Sequence, residues 1–557
     1  MMGATLESAT DRRYQLLMML AILVNLSGLF ITILGPDGAL YASIAKTMVQ
    51  RNNYVELFAE GKDWLDKPHF PFWVTALSFK LFGFTTWAYK LPAILFLLMG
   101  AGYTYLLAKT FYNKQVGWWA TIILLTTEHI IISNNDVRAE PYLTGLIIAS
   151  VFHFYQAQVK NHYGHLLAGA LFAALAMMTK GPFALIPIGG AIAGDLFIKK
   201  KWKAVFHWRW LLAALLIAVF ILPELYCLYY QFDAHPEKVV FGRTGVSGIR
   251  FFFWDSQFGR FMNTGPIKGS GDPTFFLHTT LWAFLPWSVL LYIAIANKIN
   301  KGRKQVQHTE WLTLCSSLLC FLLFSASKFQ LPHYINIIFP FFAIITSAYV
   351  LSVKKTGTIK FIRITQTVII VLLPVLAAVI HLLFQPGRSF LLVGLVLGAI
   401  LATAYLYPLL KKRDSVLYIL SRTVLLAVLV NLYINLVFYP ALLRYQSGSE
   451  AAFVANERYP DLQVVQVVDY SYALEFYVNK PLLSIPKLSD TTLLPDGPLL
   501  LYARPEDVKG APVQLVQTFD HFHVSRLTLK LVNHATRQGA VEQYGLYLFR
   551  GRSAGIF

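Results

Sequence analysis

The sequence predicts a polytopic α-helical membrane protein ending in a small α/β domain, and three observations carry this reading. Hydrophobic residues make up 56% of the 557 positions and charged ones only 14%, where a soluble domain carries roughly a quarter charged residues. Apolar runs of about 20 residues, long enough to cross a hydrocarbon core, recur along most of the chain. Beyond residue 440 these runs give way to short alternating stretches, the pattern of strands.

Taken in order, the apolar runs predict about thirteen spans. They lie near 14–34, 87–108, 116–133, 141–158, 164–179, 182–198, 210–230, 273–296, 310–326, 333–352, 363–383, 389–409 and 416–438. Arg12 and Arg13 precede the first run, as they would precede a secretory leader. That run is longer than a leader's apolar region and lacks a small-residue cleavage site, so it is read as a retained span.

The loops set the orientation. "KTFYNKQ", "KKKWKAVFHWR", "NKINKGRKQ", "VKKTGTIKFIR" and "KKRD" fall on one side, and "NNDVRAE", "KGP", "SKFQLPH" and "QPGR" on the other. Clustered Lys and Arg mark the first side as cytoplasmic and place the N-terminus there. Two long segments, 35–86 and 231–272, then lie outside, as does the tail. In the tail "LQVVQVVDYSYALEFYV", "PLLLYAR" and "HFHVSRLTLKLV" alternate like strands, and "AAFVANERYPD" reads as a helix and turn. The expected organisation is a transmembrane domain over 1–440, with outer loops 35–86 and 231–272, and an extracytoplasmic α/β domain over 441–557. The latter is long enough for its own core.

The net charge of +19 sits mostly in short clusters between apolar segments. No basic face with interleaved aromatics accompanies it, so no nucleic-acid partner is expected. Cys227, Cys315 and Cys320 all fall inside apolar segments and imply neither a disulfide framework nor a metal site. "FGRTGVSG" at 241–248 lacks the Gly-Lys-Ser/Thr ending of a phosphate-binding P-loop.

The outer turns hold residues that a simple transmembrane hairpin does not need. Asp37 follows the first span; Asp136 and Arg138 precede the fourth; Lys180 sits in a minimal turn; Lys328, His333 and Tyr334 open the tenth. Singly, each carboxylate reads as a helix cap and Lys180 as a snorkelling end residue. Together they lie at one depth on one face, where charge is costly unless it meets a polar cavity. "WLDKPHFPFW" (64–73) adds Asp66, Lys67 and His69 to that face. Cations and a tyrosine hydroxyl suit a phosphodiester-type leaving group, and a carboxylate suits a general base. A polyprenyl chain lying between spans would put its phosphate at this depth.

The ordered motifs resemble the GT-C membrane glycosyltransferases, in particular the bacterial aminoarabinose (lipid A) transferases and the related protein O-mannosyltransferases. The resemblance runs over roughly 35–340. It rests on "DGALYASIAKTM", "DKPHFPFW", Asp136, "TKG" (179–181), "FFFWDSQFGRF" and "KFQLPHY". It implies a GT-C fold and inverting transfer of a sugar from a polyprenyl-phosphate donor to lipid A or a related outer-face glycan. It assigns Asp37 and Asp136 to catalysis and Lys67, Lys180, Lys328 and Tyr334 to the donor phosphate. Asp66, His69, Arg138, Arg260 and His333 would line the cavity.

The sequence departs from the family pattern at Gly38 and Leu40, where a Glu and an Arg often stand. It also departs at Asp66, where the family has Glu, at His69 for a second proline, and at Gln257 for a histidine found in some relatives. Asp37, Asp66, His69, Asp136 and His333 offer donors for a divalent ion, but no spacing demands one, so no metal and no other cofactor is predicted. The expected partners are the lipid-linked sugar, a lipid or glycan acceptor and membrane lipids, for a monomer in the bacterial inner membrane with a periplasmic active site. Transfer to protein is the alternative within the fold. Transport of lipid-linked sugars is the alternative outside it, but internal repeats are not evident and the polar set lies at one edge rather than the midplane.

Overall fold

The computed structural model describes residues 2–264, 268–387, 391–396, 398, 415–488, 494 and 497–550. Most of its longer helices fall where the apolar runs lie, and α2 and α3 form in the segment 35–86 between them. The first is α1 (Met2–Leu26), followed by α2 (Asp37–Gln50), α3 (Phe70–Phe82) and α4 (Thr86–Phe111). Next come α5 (Lys114–Leu125), α6 (Glu128–Asn135), α7 (Glu140–Lys160), α8 (Tyr163–Lys180) and α9 (Leu185–Ile198). Further along, Phe275–Ala283, Ser288–Lys304, Leu312–Ala326, Phe339–Ser352, Thr356–Phe384 and Ser415–Tyr433 match the later runs. The run expected at 389–409 and the loop "KKRD" lie mainly or wholly outside the described residues.

Among the described residues, five helices are long and apolar enough to cross a membrane, or six if α5 and α6 are one bent span. Several of the expected runs are broken into shorter helices. α5 and α6 meet at 51°. The break is held by Trp287 Nε1, which donates to Thr126 Oγ1 at 3.1 Å, and by Glu128 N, which donates to Leu285 O at 2.9 Å. The run at 210–230 divides at Ile221, ahead of Pro223, and the run at 273–296 divides between Ala283 and Ser288 around Pro286. α1 stops at Leu26, short of the expected 34. The freed carbonyls of Gly28 and Ile31 accept from the buried Lys90 Nζ at 3.0 and 2.7 Å.

The segment 35–86 is structured: α2, a small hairpin and α3. The hairpin strands β1 (Phe58–Ala59) and β2 (Lys62–Asp63) pair antiparallel. Their two-residue turn, Glu60–Gly61, has φ of 55° and 72°, the double left-handed geometry that matches strand twist. In the segment 231–272 a π-type helical stretch, Phe251–Gly259, ends where Arg260 begins.

Beyond residue 446 a five-stranded sheet forms from β3 (Gln463–Val467), β4 (Leu483–Ile485), β5 (Leu499–Ala503), β6 (Val513–His521) and β7 (Glu542–Phe549). Its order is β4-β3-β5-β7-β6, with β3 parallel to β4 and β5, and β7 antiparallel to β5 and β6. The helix Ser447–Arg458 buries Ala451, Ala452 and Ala455 with Val464, Leu500 and Leu546. Val465, Val467, Leu501 and Ala503 pack on the opposite face.

Two stretches expected as strands depart from that reading. "YALEFY" forms a helical turn, Tyr472–Tyr477, because Ser471 Oγ caps it by accepting from Leu474 N at 3.2 Å. In "HFHVSRLTLKLV" the strand ends at His521 and Leu529–Val532 is helical, capped by Thr528. This part of the chain docks tightly on the helical body. Phe476 is buried in the helical core, and Tyr477 Oη accepts from Ile33 N at 2.8 Å. Lys46 Nζ donates to the carbonyls of Glu475, Phe476 and Val478 at 3.1, 2.8 and 2.7 Å.

Candidate functional site

Loop and helix-end residues from distant parts of the chain converge on a cavity of about 140 Å³. Asp37, Leu40 and Tyr41 reach it from the start of α2, and Asp66 and Lys67 from the loop before α3. Arg138, Ala139 and Glu140 come from the entry to α7, and Lys180 from the end of α8. Arg260, Phe329, Leu331, His333 and Tyr334 complete it. The lining sets the cations Lys67, Arg138, Lys180 and Arg260 against the carboxylates Asp37, Asp66 and Glu140.

Asp66 explains its own place beside Lys67. One carboxylate oxygen pairs with Lys67 Nζ at 2.5 Å and the other with Arg260. It therefore holds two cations side by side at the cavity wall. Burial alone would raise its pKa, but the adjacent Lys67 and Arg260 outweigh burial and keep it below the usual carboxylate range. Burial in turn pulls the Lys67 ammonium down, with Asp66 opposing.

Arg138 organises the other wall. Its Nη1 lies 2.5 Å from Asp37 Oδ2, while Nε and Nη2 lie 2.9 and 2.8 Å from Asp136 Oδ2. Asp37 is 42% exposed on its side chain and faces the cavity. Asp136 stands behind Arg138, does not line the cavity, and leaves Oδ1 buried without a hydrogen-bond partner. Burial raises its pKa against the pull of Arg138. The two carboxylates are thus distinguished by position: Asp37 is open to a reacting atom, and Asp136 fixes the guanidinium.

Lys180 pairs with Glu140, and its ammonium lies 3.8 Å from the centre of the Tyr334 ring. His333 Nε2 is 3.8 Å from Glu140 Oε1. The sequence reading did not include Glu140 or Tyr41 in the site. The signal for Glu140 was present in "NNDVRAEPY", where it opens α7 at the same boundary as Asp136 and Arg138.

Two expected members lie elsewhere. His69 faces away from the cavity: Nδ1 lies 3.1 Å from Glu224 Oε1 and Nε2 lies 2.9 Å from Val55 O, with the residue 1% exposed. It ties the loop to the helix Leu222–Leu228, so the second-proline position serves packing. Lys328 is exposed and off the lining, because the chain turns there and brings Phe329 and Leu331 inward instead. The five groups considered for a divalent ion are accordingly not gathered into one cluster: His69 is paired with Glu224, and the carboxylates with cations.

Known proteins offer likenesses in sequence and in fold. Residues 66–227 match the family model of dolichyl-phosphate-mannose-protein mannosyltransferases. The undecaprenyl phosphate-alpha-4-amino-4-deoxy-L-arabinose arabinosyl transferase 2 of Proteus mirabilis is 26% identical over 335 residues, 59% of this chain and 57% of its own. The corresponding transferase of Shewanella sediminis is 26% identical over 368 residues, 63% of this chain and 62% of its own. The chain thus spans about three fifths of the length of the curated relatives it matches. In fold, the crystal structure of ArnT from Cupriavidus metallidurans bound to undecaprenyl phosphate superposes with a TM-score of 0.70 at 18% identity, covering 96% of this chain and 97% of that one. The chain therefore has the fold of ArnT, with five or six helices among the described residues long and apolar enough to cross a membrane, and is similar in sequence to the aminoarabinose transferases.

Proposed function

We propose that the chain transfers a sugar from a polyprenyl-phosphate donor to lipid A or a related glycan on the outer face of a bacterial inner membrane, inverting the anomeric centre. The observation that carries this reading is one boundary cavity in which four cations surround space beside an open carboxylate, Asp37. The relatives are named for an undecaprenyl-phosphate-linked aminoarabinose, and the superposed ArnT holds undecaprenyl phosphate.

In the reaction the bond between the anomeric carbon and the phosphate oxygen breaks, and its electrons leave with the polyprenyl phosphate. The acceptor oxygen bonds to the anomeric carbon from the opposite face, and its proton passes to Asp37. Lys67, Lys180, Arg260 and the Tyr334 hydroxyl surround the leaving phosphate and stabilise the charge that grows on it. Arg138, positioned by Asp136, orients Asp37, and Glu140 with His333 holds Lys180 in place. His69 and Lys328 take no part in this arrangement.

The same reading puts the N-terminus in the cytoplasm, thirteen spans over 1–440, and residues 441–557 as a domain on the outer face of a monomer. Transfer to protein is the second reading, favoured by the match of 66–227 to the mannosyltransferase model.

Expression in a host that makes lipid A, followed by mass analysis of that lipid, tests the proposal. A sugar-sized increment is expected with the parent chain, and Asp37→Asn should reduce its rate by roughly 10²–10⁴-fold, the usual contribution of a general base. An increment that survives Asp37→Asn at full rate would overturn the role of Asp37. No increment from the parent would reject lipid A as the acceptor in that host.

A further inference from the structure

A groove of about 340 Å³ lies between α7, α9 and the helix Arg209–Phe220, and it shares no residue with the charged cavity. Its wall is apolar apart from the indole of Trp210, and its size falls in the range of roughly 300–1,000 Å³ that small-molecule sites occupy. Gly189 forms part of that wall. It sits inside α9, where glycine is less favourable than alanine. A Cβ placed on it would meet nothing within 4 Å. No protein neighbour therefore excludes a side chain at this position, and its absence keeps the groove open.

One end of the groove is basic. Leu196 and Val205 both line it, and the lysine-rich turn 199–203 lies between them in the chain. This turn meets the end of the helix Ser288–Lys304. Trp311 N donates to Asp195 Oδ1 at 2.8 Å, and Gln307 Nε2 donates to Lys199 O at 3.2 Å. The two carboxylates present are already matched, Asp195 by Lys199 and Glu310 by Lys298. Among the described residues, Lys200, Lys201, Lys203, Lys301, Arg303 and Lys304 are exposed and have no carboxylate partner. Aromatic rings stand beside them: Trp202, Phe206 and Trp208 are 51%, 79% and 54% exposed. The segment is pinned in place. Arg209 Nη1 donates to Ala157 O and Gln158 O near the end of α7 at 3.0 and 3.2 Å, and Trp210 Nε1 donates to Ala204 O at 2.8 Å.

Exposed tryptophans settle at the headgroup level of a bilayer, and lysines there attract anionic headgroups. A soluble polyanion would satisfy the cations and leave the rings and the groove without a partner. A neutral lipid would fill the groove and leave six cations unmatched. We propose that the groove and its basic end bind an anionic phospholipid, with an acyl chain along Gly189 and the headgroup phosphate among Lys200, Lys201 and Lys203. In the orientation given above, this is a lipid of the cytoplasmic leaflet, across the bilayer from the sugar transfer. The site is separate from donor and acceptor, and its occupancy does not rest on the glycosyltransferase reading.

The test uses the full chain in detergent micelles, with bound lipid counted by native mass spectrometry. The probes are dioleoyl phosphatidylglycerol, dioleoyl phosphatidylcholine and undecaprenyl phosphate. The parent should hold one phosphatidylglycerol in preference to phosphatidylcholine. Lys200→Gln/Lys201→Gln/Lys203→Gln changes only exposed positions. It should weaken phosphatidylglycerol binding about 100-fold, roughly fivefold for each lysine, and leave phosphatidylcholine binding as it was. Gly189→Leu fills the groove and should weaken both phospholipids. Ala214→Phe, at an exposed position on the facing helix, fills it from the other side with the same expectation, should the first variant fail to fold. Undecaprenyl phosphate affinity should not change in any of them. Equal retention of the two phospholipids by the parent would overturn the site, as would unchanged phosphatidylglycerol binding in the lysine variant or in a folded groove variant. Loss of undecaprenyl phosphate in place of phosphatidylglycerol on filling the groove would assign it to the donor's chain and overturn the proposal as well.

Discussion

Glu140 and Lys180 lie forty positions apart in the chain, yet they form the most enclosed ion pair of the cavity, with side chains 2% and 9% exposed. Charge at this depth is tolerated only in pairs, because removing one partner leaves the other buried and uncompensated. Glu140→Gln is therefore expected to cost about 3–5 kcal/mol, seen as a lower thermal midpoint of the purified protein. Glu140→Leu combined with Lys180→Met should recover most of that stability while abolishing transfer. Stability unchanged in Glu140→Gln would mean that Lys180 finds another counter-charge. Asp66 follows the same logic with two cations, which is why an acidic residue next to Lys67 is not redundant.

Among the elements, α2 does the most joining. Its first residue, Asp37, faces the charged cavity, while Lys46, about two and a half turns later, holds the docked Tyr472–Tyr477 turn through three carbonyls. These carbonyls end a helical turn, where backbone acceptors lack intrahelical donors. Replacing Lys46 with Met removes charge-assisted bonds worth about 2–3 kcal/mol. Limited proteolysis should then cut faster beyond residue 446 than in the parent chain, with cuts in the helical body unchanged. An unaltered rate would show that Phe476, buried against Phe79 and Tyr89, holds the contact alone. The bent pair α5–α6, at 51°, precedes the turn after Asn135 that carries Arg138 to the cavity.

For the whole molecule, the proposed orientation puts the charged cavity and the sheet on one side and the lysine-rich loops on the other. A membrane-impermeant maleimide tests this in intact cells after opening of the outer membrane. Ser525→Cys, at an exposed position beyond β6, should label, and Lys301→Cys should label only after lysis. Background is limited because Cys227 and Cys320 are buried and Cys315 is half-buried. Labelling of Lys301→Cys from outside would invert the arrangement and place the cavity in the cytoplasm.

The membrane class, the helical runs and the boundary residues Asp37, Lys67, Arg138, Lys180 and Tyr334 were legible in the sequence. Hydrocarbon demands long apolar runs, and charge at their ends stands out against them. Local alternation also located β3 and β5, but not the helical turn at Tyr472, where a serine cap overrode the pattern. Pairing was beyond sequence reading. Arg260 meets Asp66 across 194 positions and His69 meets Glu224 across 155, and no local periodicity encodes such distances. The sequence by itself determined which charged groups sit at the ends of the apolar runs. Only the tertiary structure decided which of them share a cavity, because helix packing, not chain order, chooses the neighbours of a buried charge.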